Sequence, residues 1–242
     1  QYLFSDHGKA NEREKKKYGV DGRLIIKQDV FILVSLLSIF VAVPILFYGD
    51  LIIPAILFVA SLFMGLTLDK KVIRTYQLIV MLKYIIIIII TMFLEVIWGA
   101  PVLPINKDQY WYIDTANTIA SELADNIVNV DYSGIVGLHN RLYNVLAGWL
   151  TYLNGGNSIM VIRSFNVFCS AAIIIIGYFL VRELYPEEAD YQSMTIVALG
   201  LLPSINLYSA LILREILIAL LVTLFFYFIV TNKKLMSLLI LL

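Results

Sequence analysis

Cysteine and histidine are nearly absent from the chain. Cys169 is the only cysteine and lies within an apolar run, and the two histidines, His7 and His139, stand far apart. An internal disulfide framework and a CxxC metal site are therefore excluded, and nothing suggests a histidine-rich metal cluster. A surplus of either charge is also missing, because 18 Lys and Arg balance 18 Asp and Glu. That balance argues against nucleic acid as a partner. Charge of any sign is scarce at 15% of residues, whereas 60% are hydrophobic and the mean hydropathy is +0.85. One soluble core could not bury so much apolar surface. The composition implies an all-α, polytopic membrane helix bundle whose solvent is the lipid bilayer.

A secretory signal is missing too. The charged start, "HGKANEREKKKYGVDGR", carries too many acids and lies too far from the first apolar run. Residues 1–29 read as a cytosolic tail. The chain starts without methionine and stops as "KKLMSLLILL" opens another apolar run, which reads as truncation of a longer protein at the C-terminus.

Apolar runs of about 20 residues match the hydrocarbon thickness. Residues 30–48, 51–68 and 78–98 form three N-terminal spans, with Lys83 expected to snorkel from the third toward one end. Residues 99–160 form an outer loop carrying interfacial helices, and 161–242 hold the further spans. The fourth span covers 161–181. The apolar stretch 194–230 is too long for one crossing, so Pro203 divides it into a short fifth span and a sixth from about Ser204 onward. Lys and Arg collect before the first span, in "DKKVIR" and in "NKK", which places the N-terminus in the cytosol. The acidic "RELYPEEADYQ" on the same side runs against that rule.

The outer loop opens with "INKDQYWYIDTANTIASELADN". Wound as a helix over 108–126, it puts Tyr112, Ala116, Ile119, Ala120, Leu123 and Ile127 on one arc and Asp114, Asn117, Ser121 and Asp125 on the other. This predicts an outward amphipathic helix lying along the membrane surface, its wet face acidic where simple lipid adhesion would favour basic residues. Asp108 at its start either caps the helix or serves as a base. Other ionisable groups fall at the same level: Glu95 ends the third span, Arg163 begins the fourth, and Arg214 with Glu215 follows Pro203 by two to three turns. Charges in spans are costly and are by default paired or functional. Here they form either structural ion pairs, Arg163 with Glu215 or Arg214 with Glu95, or a pocket for an anionic lipid headgroup. Tyr110, Trp111 and Tyr112 suit sugar stacking or an interfacial aromatic belt. His139 and Arg141 in "GLHNRLY" are loop contacts to a substrate or merely solvated. Asp131 is explained by turn formation, and "NGGNS" is a turn without the lysine of a phosphate loop.

These residues resemble a known family. "DQYWYIDTA" is similar to the D-x-x-x-Y-x-x-x-A start of the first outer loop in the GT-C superfamily, the multispanning glycosyltransferases that use polyprenyl-phosphate-linked sugars. Asp108, Tyr112 and Ala116 fill those places. The segment "YNVLAGWLTYLNGGNSIMVIRSFNVFCSAAIIIIGYFLVRELY" and the later "LPSINLYSALILRE" continue the resemblance, which covers residues 104–230. It implies a GT-C-like bundle in a bacterial plasma membrane, a polyprenyl-phosphate-linked sugar as donor, and a glycan, lipid or protein as acceptor. Asp108 would be the catalytic base of an inverting transfer. Arg163 and Arg214 would hold the donor phosphate, with Glu215, Tyr112, His139 and Arg141 as substrate contacts. A divalent cation, Mg²⁺ or Mn²⁺, is a further expectation, with Glu215 as its ligand. Some members follow the aspartate with a second acid, whereas Gln109 stands here, so related polysaccharide polymerases share the resemblance. A lipid or solute transporter is the alternative from another class, with Glu95, Arg163, Arg214 and Glu215 lining the path.

The charge distribution makes a topological prediction. In a Cys169→Ser background, Ser133→Cys is expected to react with an impermeant thiol reagent added to intact cells. Labelling only after the cells are broken would invert the orientation.

Overall fold

The computed structural model describes residues 51–103, 107–128, 130–135, 141–156, 158–233, 236 and 240. The expected tail, 1–29, and first span, 30–48, lie outside them. Among the described residues the fold is helical, without strands. In chain order the helices are α1 (Ile52–Met64), α2 (Lys70–Trp98), α3 (Lys107–Asp125), the single turn α4 (Tyr132–Ile135), α5 (Arg141–Leu153), α6 (Ser158–Leu184), α7 (Ala189–Leu201), α8 (Pro203–Ala210) and α9 (Glu215–Val230).

Two of these helices are long and apolar enough to cross a bilayer. They are α2 with 29 residues and α6 with 27, and the bent α7–α8 pair makes a third if it is counted as one span. At about 1.5 Å per residue, α2 reaches ~43 Å, beyond the ~30 Å of a hydrocarbon core. This is a membrane protein. The helix α2 ends where Gly99 turns left-handed, at φ 65°, and donates its N–H to the Glu95 carbonyl at 3.0 Å. The 13-residue α1 and 16-residue α9 are apolar but shorter than a crossing requires.

The centre of the bundle is α6. From Ser158 to Ala171 only Ile159 and Phe168 are part-exposed, so this stretch is enclosed by protein. Its neighbours are α9, α7, α1, α5, α8, α2 and, least extensively, α3. The turn into it uses Gly155 and Gly156, at φ 80° and 107°, and Asn154 Oδ1 accepts from the Ile53 N–H at 3.1 Å, tying that turn to the start of α1. The "NGGNS" turn is thus a corner of the scaffold.

Three expectations change. First, Lys83 does not snorkel. It lies near the middle of α2, is 2% exposed, and donates a hydrogen bond to Asn206 Oδ1 on α8. The bend beside it supplies the partner that snorkelling would otherwise find in water. Second, the expected sixth span is interrupted. The pair α7–α8 bends by 47° at Leu202, where Pro203 restricts the preceding residue and opens α8, and a second break at 211–214 separates α8 from α9. Third, the apolar arc of α3 is covered by protein. Tyr112, Ala116, Ile119, Ala120 and Leu123 are buried, with α5 as the most extensive neighbour, while Asp114, Asn117, Ser121 and Asp125 are exposed as the periodicity requires. That leaves little apolar stripe to press into lipid. Ile127 falls past the helix end and is exposed.

The contact between α3 and α5 rests on a missing side chain. A Cβ on Gly148 would fall on Cγ2 and Cβ of Ile119, a β-branched residue with little freedom to move. At Gly177 of α6 a Cβ would meet chiefly the terminal Cδ1 of Leu199, which can swing aside. Gly148→Ala is therefore expected to lower stability by roughly 1–3 kcal/mol through overpacking. Gly177→Ala should be near neutral, because helix propensity gains up to about 1 kcal/mol against a small rotamer shift. Thermal unfolding of the two purified variants in one detergent checks this; a larger loss for Gly177→Ala would refute the packing argument.

Candidate functional site at the break before α9

The site is assembled from α6 outward. Asn166 lies on the fully enclosed part of that helix, and its amide must find partners within the protein. Its Nδ2 donates to the carbonyls of Leu211 at 2.7 Å and Leu213 at 3.1 Å, while its Oδ1 accepts from the Tyr143 hydroxyl at 3.1 Å. The two carbonyls belong to the break between α8 and α9, where Leu211 is extended at φ −88°, ψ 160°. One side chain thereby satisfies two backbone acceptors that the interrupted helix would otherwise leave bare. The chain then restarts at Glu215, with Arg214 at the N-cap position.

On the other side of Tyr143 stands Tyr112 of α3, the two rings meeting edge to face with centroids 5.1 Å apart. Both phenols are buried. Burial is the main cause that raises the Tyr112 pKa; Arg214 opposes the rise, and Glu215 and Asp108 add to it. Three charged groups therefore act on one hydroxyl. Tyr143 is pushed well above the ordinary tyrosine range, again mainly by burial, with its bond to Asn166 opposing and Cys169, Tyr112 and Glu215 reinforcing. Both hydroxyls stay protonated at neutral pH, and that of Tyr143 donates to Asn166. Asp108, Arg214 and Glu215, from two segments a hundred residues apart in sequence, thus lie within electrostatic reach of the Tyr112 hydroxyl, and the Tyr112 ring shares a buried cluster with Ile212 and Ile216. Asp108 is exposed in the first turn of α3, and Arg214 and Glu215 are half-buried. The Oε2 of Glu215 is buried and has no hydrogen-bond partner among the described residues.

Arg163 makes hydrogen bonds to α2 and to the chain that leaves it, next to Val102, which shares a buried cluster with Tyr112 and Ile212. It is fully buried, its Nη1 donating to Thr91 Oγ1 of α2 and its Nη2 to the Pro101 carbonyl at 2.7 Å. These bonds tie α6 to the chain leaving α2. Glu95 is exposed in the last turn of α2. Arg141 starts α5 within electrostatic reach of Asp131, and its Nε is buried without a hydrogen bond among the described residues. His139 lies outside the described residues. Asp131 does form a turn: its Oδ1 accepts from the Ser133 hydroxyl at 2.6 Å and from the N–H groups of Ser133 and Gly134 at 3.0 and 3.1 Å. These bonds, the hydroxyl first, hold its carboxyl below the usual carboxylate range. Tyr110 and Trp111 are exposed, with Trp111 edge-on to Tyr112.

Sequence reasoning missed Asn166, Tyr143 and Thr91. Their signal was present, since an amide and hydroxyls in apolar helices have to be satisfied by protein. Among the described residues no group of three or more His, Cys, Asp or Glu is placed to hold a metal ion. Comparison with known protein families, with curated proteins and with solved structures finds no match for this chain.

The two anchors can be tested by removing donors singly. Arg163→Lys keeps the charge but cannot reproduce the planar two-armed contact, so it should cost roughly 1–3 kcal/mol by removing the donor to Thr91 Oγ1, which keeps its own bond to the Ile87 carbonyl, or the donor to the Pro101 carbonyl. Tyr143→Phe should cost about 1 kcal/mol. Melting temperatures report both, and unchanged values would show that neither contact supports the fold.

Proposed function

We propose that the chain belongs to a multi-pass membrane glycosyltransferase of the GT-C kind, which moves a sugar from a polyprenyl-phosphate donor to an acceptor hydroxyl on the outer membrane face. The observation that supports the reading is the packing of Tyr112 in one buried cluster with Ile212 and Ile216, beside Arg214 and Glu215 at the start of α9, with Asp108 within electrostatic reach of the same tyrosine. The transfer needs a base near the acceptor and positive charge near the departing phosphate. Asp108, exposed at the start of α3, takes the acceptor proton as the acceptor oxygen bonds to the anomeric carbon. The bond from that carbon to the lipid phosphate breaks, and the phosphate leaves with the bonding electrons. Attack from the opposite face inverts the configuration. Arg214 stabilises the charge that builds on the leaving phosphate, and the Tyr112 hydroxyl is a neutral donor beside it.

In this reading Arg163 acts from behind, holding the end of α2 against α6. A divalent cation would be held by Glu215, whose buried oxygen lacks a donor, together with the donor's own phosphate oxygens. It would supply charge neutralisation at the leaving phosphate.

One observation favours a second reading. Helices broken within the membrane, with charged residues at the N-terminus of the second half, also build substrate sites in transporters. The same protein distinguishes the two, because a transferase forms product in detergent solution, whereas a transporter acts only across a sealed membrane.

The test is a detergent assay with a polyprenyl-phosphate sugar and an acceptor extract. Asp108→Asn is expected to lower turnover by about 10²–10⁴-fold while leaving donor binding nearly intact. Asp114→Asn, on the exposed arc of the same helix, should be mild. Arg214→Ala should weaken donor binding more than Arg214→Lys. Equal turnover of wild type and Asp108→Asn, with chemistry limiting, would remove Asp108 from the mechanism.

A further inference from the structure

At the opposite end of the bundle a cavity of about 530 Å³ lies between the N-terminal turns of α2, the last turns of α6 and the first half of α7. Its size falls in the range of small-ligand sites, ~300–1,000 Å³. Its position is set by the spans. The first turn of α2 and the charged end of α6 at Arg182 and Glu183 mark the water side, while the apolar bodies of both helices continue beyond it. The cavity therefore straddles the level at which lipid headgroups meet hydrocarbon.

The wall carries two carboxylates and an amide against one ammonium; of its hydroxyls, that of Tyr178 is spent on Asp69 and that of Ser193 on the Asp190 carbonyl, while Thr75 adds one more. Asp69 occupies the N-cap position of α2 but makes no capping bond with its side chain; its Oδ2 instead accepts from the hydroxyl of Tyr178, which is 1% exposed, at 2.6 Å. The buried phenol holds the carboxylate across the cavity, and Oδ1 is unspent among the described residues. Gln192, only 7% exposed, directs its Nε2 to the carbonyls of Tyr185 and Pro186 at 3.3 and 3.4 Å. That leaves Oε1, the accepting end, without a donor among the described residues. Asp190 adds a second carboxylate. Three acceptor groups around one space fit a primary ammonium, which carries three N–H donors. The cation on the wall is Lys71, beside the uncapped first turn of α2, and this combination suits a phosphate. Met194 and Val197, both exposed, carry the wall down toward the apolar side.

We propose that this cavity seats the headgroup of an aminophospholipid of the phosphatidylethanolamine type, its ammonium on Asp69, Asp190 and Gln192, its phosphate near Lys71 and its chains along Met194 and Val197. The carboxylates disfavour anionic headgroups. A choline headgroup has the same phosphate and chains but no N–H to give. The site is separate from the proposed transfer site and does not depend on it.

The experiment is a thermal-shift titration of the purified chain in detergent with phosphatidylethanolamine, phosphatidylcholine, phosphatidylglycerol or soluble phosphoethanolamine. Phosphatidylethanolamine alone is expected to raise Tm, by roughly 5 °C well above its Kd. Asp190→Asn, which keeps the backbone carbonyl that accepts from Ser193 and removes only the charge of an exposed carboxylate, should weaken that effect at least tenfold with little change in the lipid-free Tm. Gln192→Leu should weaken it as well. Equal shifts from the ethanolamine and choline lipids, no shift from either, or an undiminished shift in Asp190→Asn would overturn the proposal. A matching shift from phosphoethanolamine would assign the cavity to a soluble amine and overturn the lipid assignment.

Discussion

Everything at the candidate transfer site depends on how one buried amide is satisfied. Asn166 is enclosed in the central helix, where an amide without partners is costly, by about 1–3 kcal/mol even on estimates drawn from protein variants. It reaches the carbonyls of Leu211 and Leu213 because the helix is broken there, and the break is tolerated because Asn166 fills those carbonyls. Neither feature is stable without the other. The same amide oxygen takes the Tyr143 hydroxyl, and Tyr143 in turn packs on Tyr112. A chain of contacts so runs from the enclosed part of α6 to α3, with α6 as its fixed point.

Helix existence was legible in the sequence where length or period decided it. The long apolar runs became α2 and α6, the two-sided pattern of residues 108–126 became α3, and Pro203 marked a real bend. What could not be read was partner choice. The stretch "SALILREI" has no proline or glycine to announce a second break, because the residue responsible sits 45 positions earlier on another helix. The apolar arc of α3 has the same pattern whether lipid or α5 covers it, and only the fit of Ile119 against Gly148 reveals the latter. Lys83 was assigned to the bilayer edge by its distance from a run's end, but α2 begins at Lys70 and carries that lysine to its middle. For the site itself, Asp108, Tyr112, Arg214 and Glu215 were readable as individual residues. That α3 meets the break before α9, and that Arg163 bonds Thr91 and the Pro101 carbonyl, required the packing.

The polar residues of α6 divide the labour by size. Arg163 and Asn166 reach across to other elements and fix backbone carbonyls, so they define which loops meet the helix. Ser164 and Ser170 are fully buried, and their hydroxyls find no partner among the described residues. Small side chains of this kind permit close helix approach in membrane interiors, where packing rather than hydrophobic exclusion drives association. A central helix made only of leucine and isoleucine would be as apolar but would not select one arrangement of its neighbours. The polar groups supply that selection, since an alternative packing would strand an arginine and an amide in a medium that cannot solvate them.

The position of Arg214 and Glu215 follows from the same physics. In an unbroken helix running on from Pro203, both charges would be lodged within an apolar span, at a cost of about 2.5–3.5 kcal/mol for an arginine or aspartate at the helix centre. The break changes their electrostatic surroundings. Glu215 falls in the first turn of α9, where the aligned peptide dipoles favour a negative charge, and Arg214 occupies the N-cap position just outside it. The dipole of the new helix start offsets part of what the carboxylate loses with its water. A charged pair near the hydrocarbon boundary thus becomes tolerable through an interruption that itself needs Asn166. Removing the amide would disturb Arg214 and Glu215 without touching either, so the residue that most controls the candidate site belongs to none of the groups that would handle substrate.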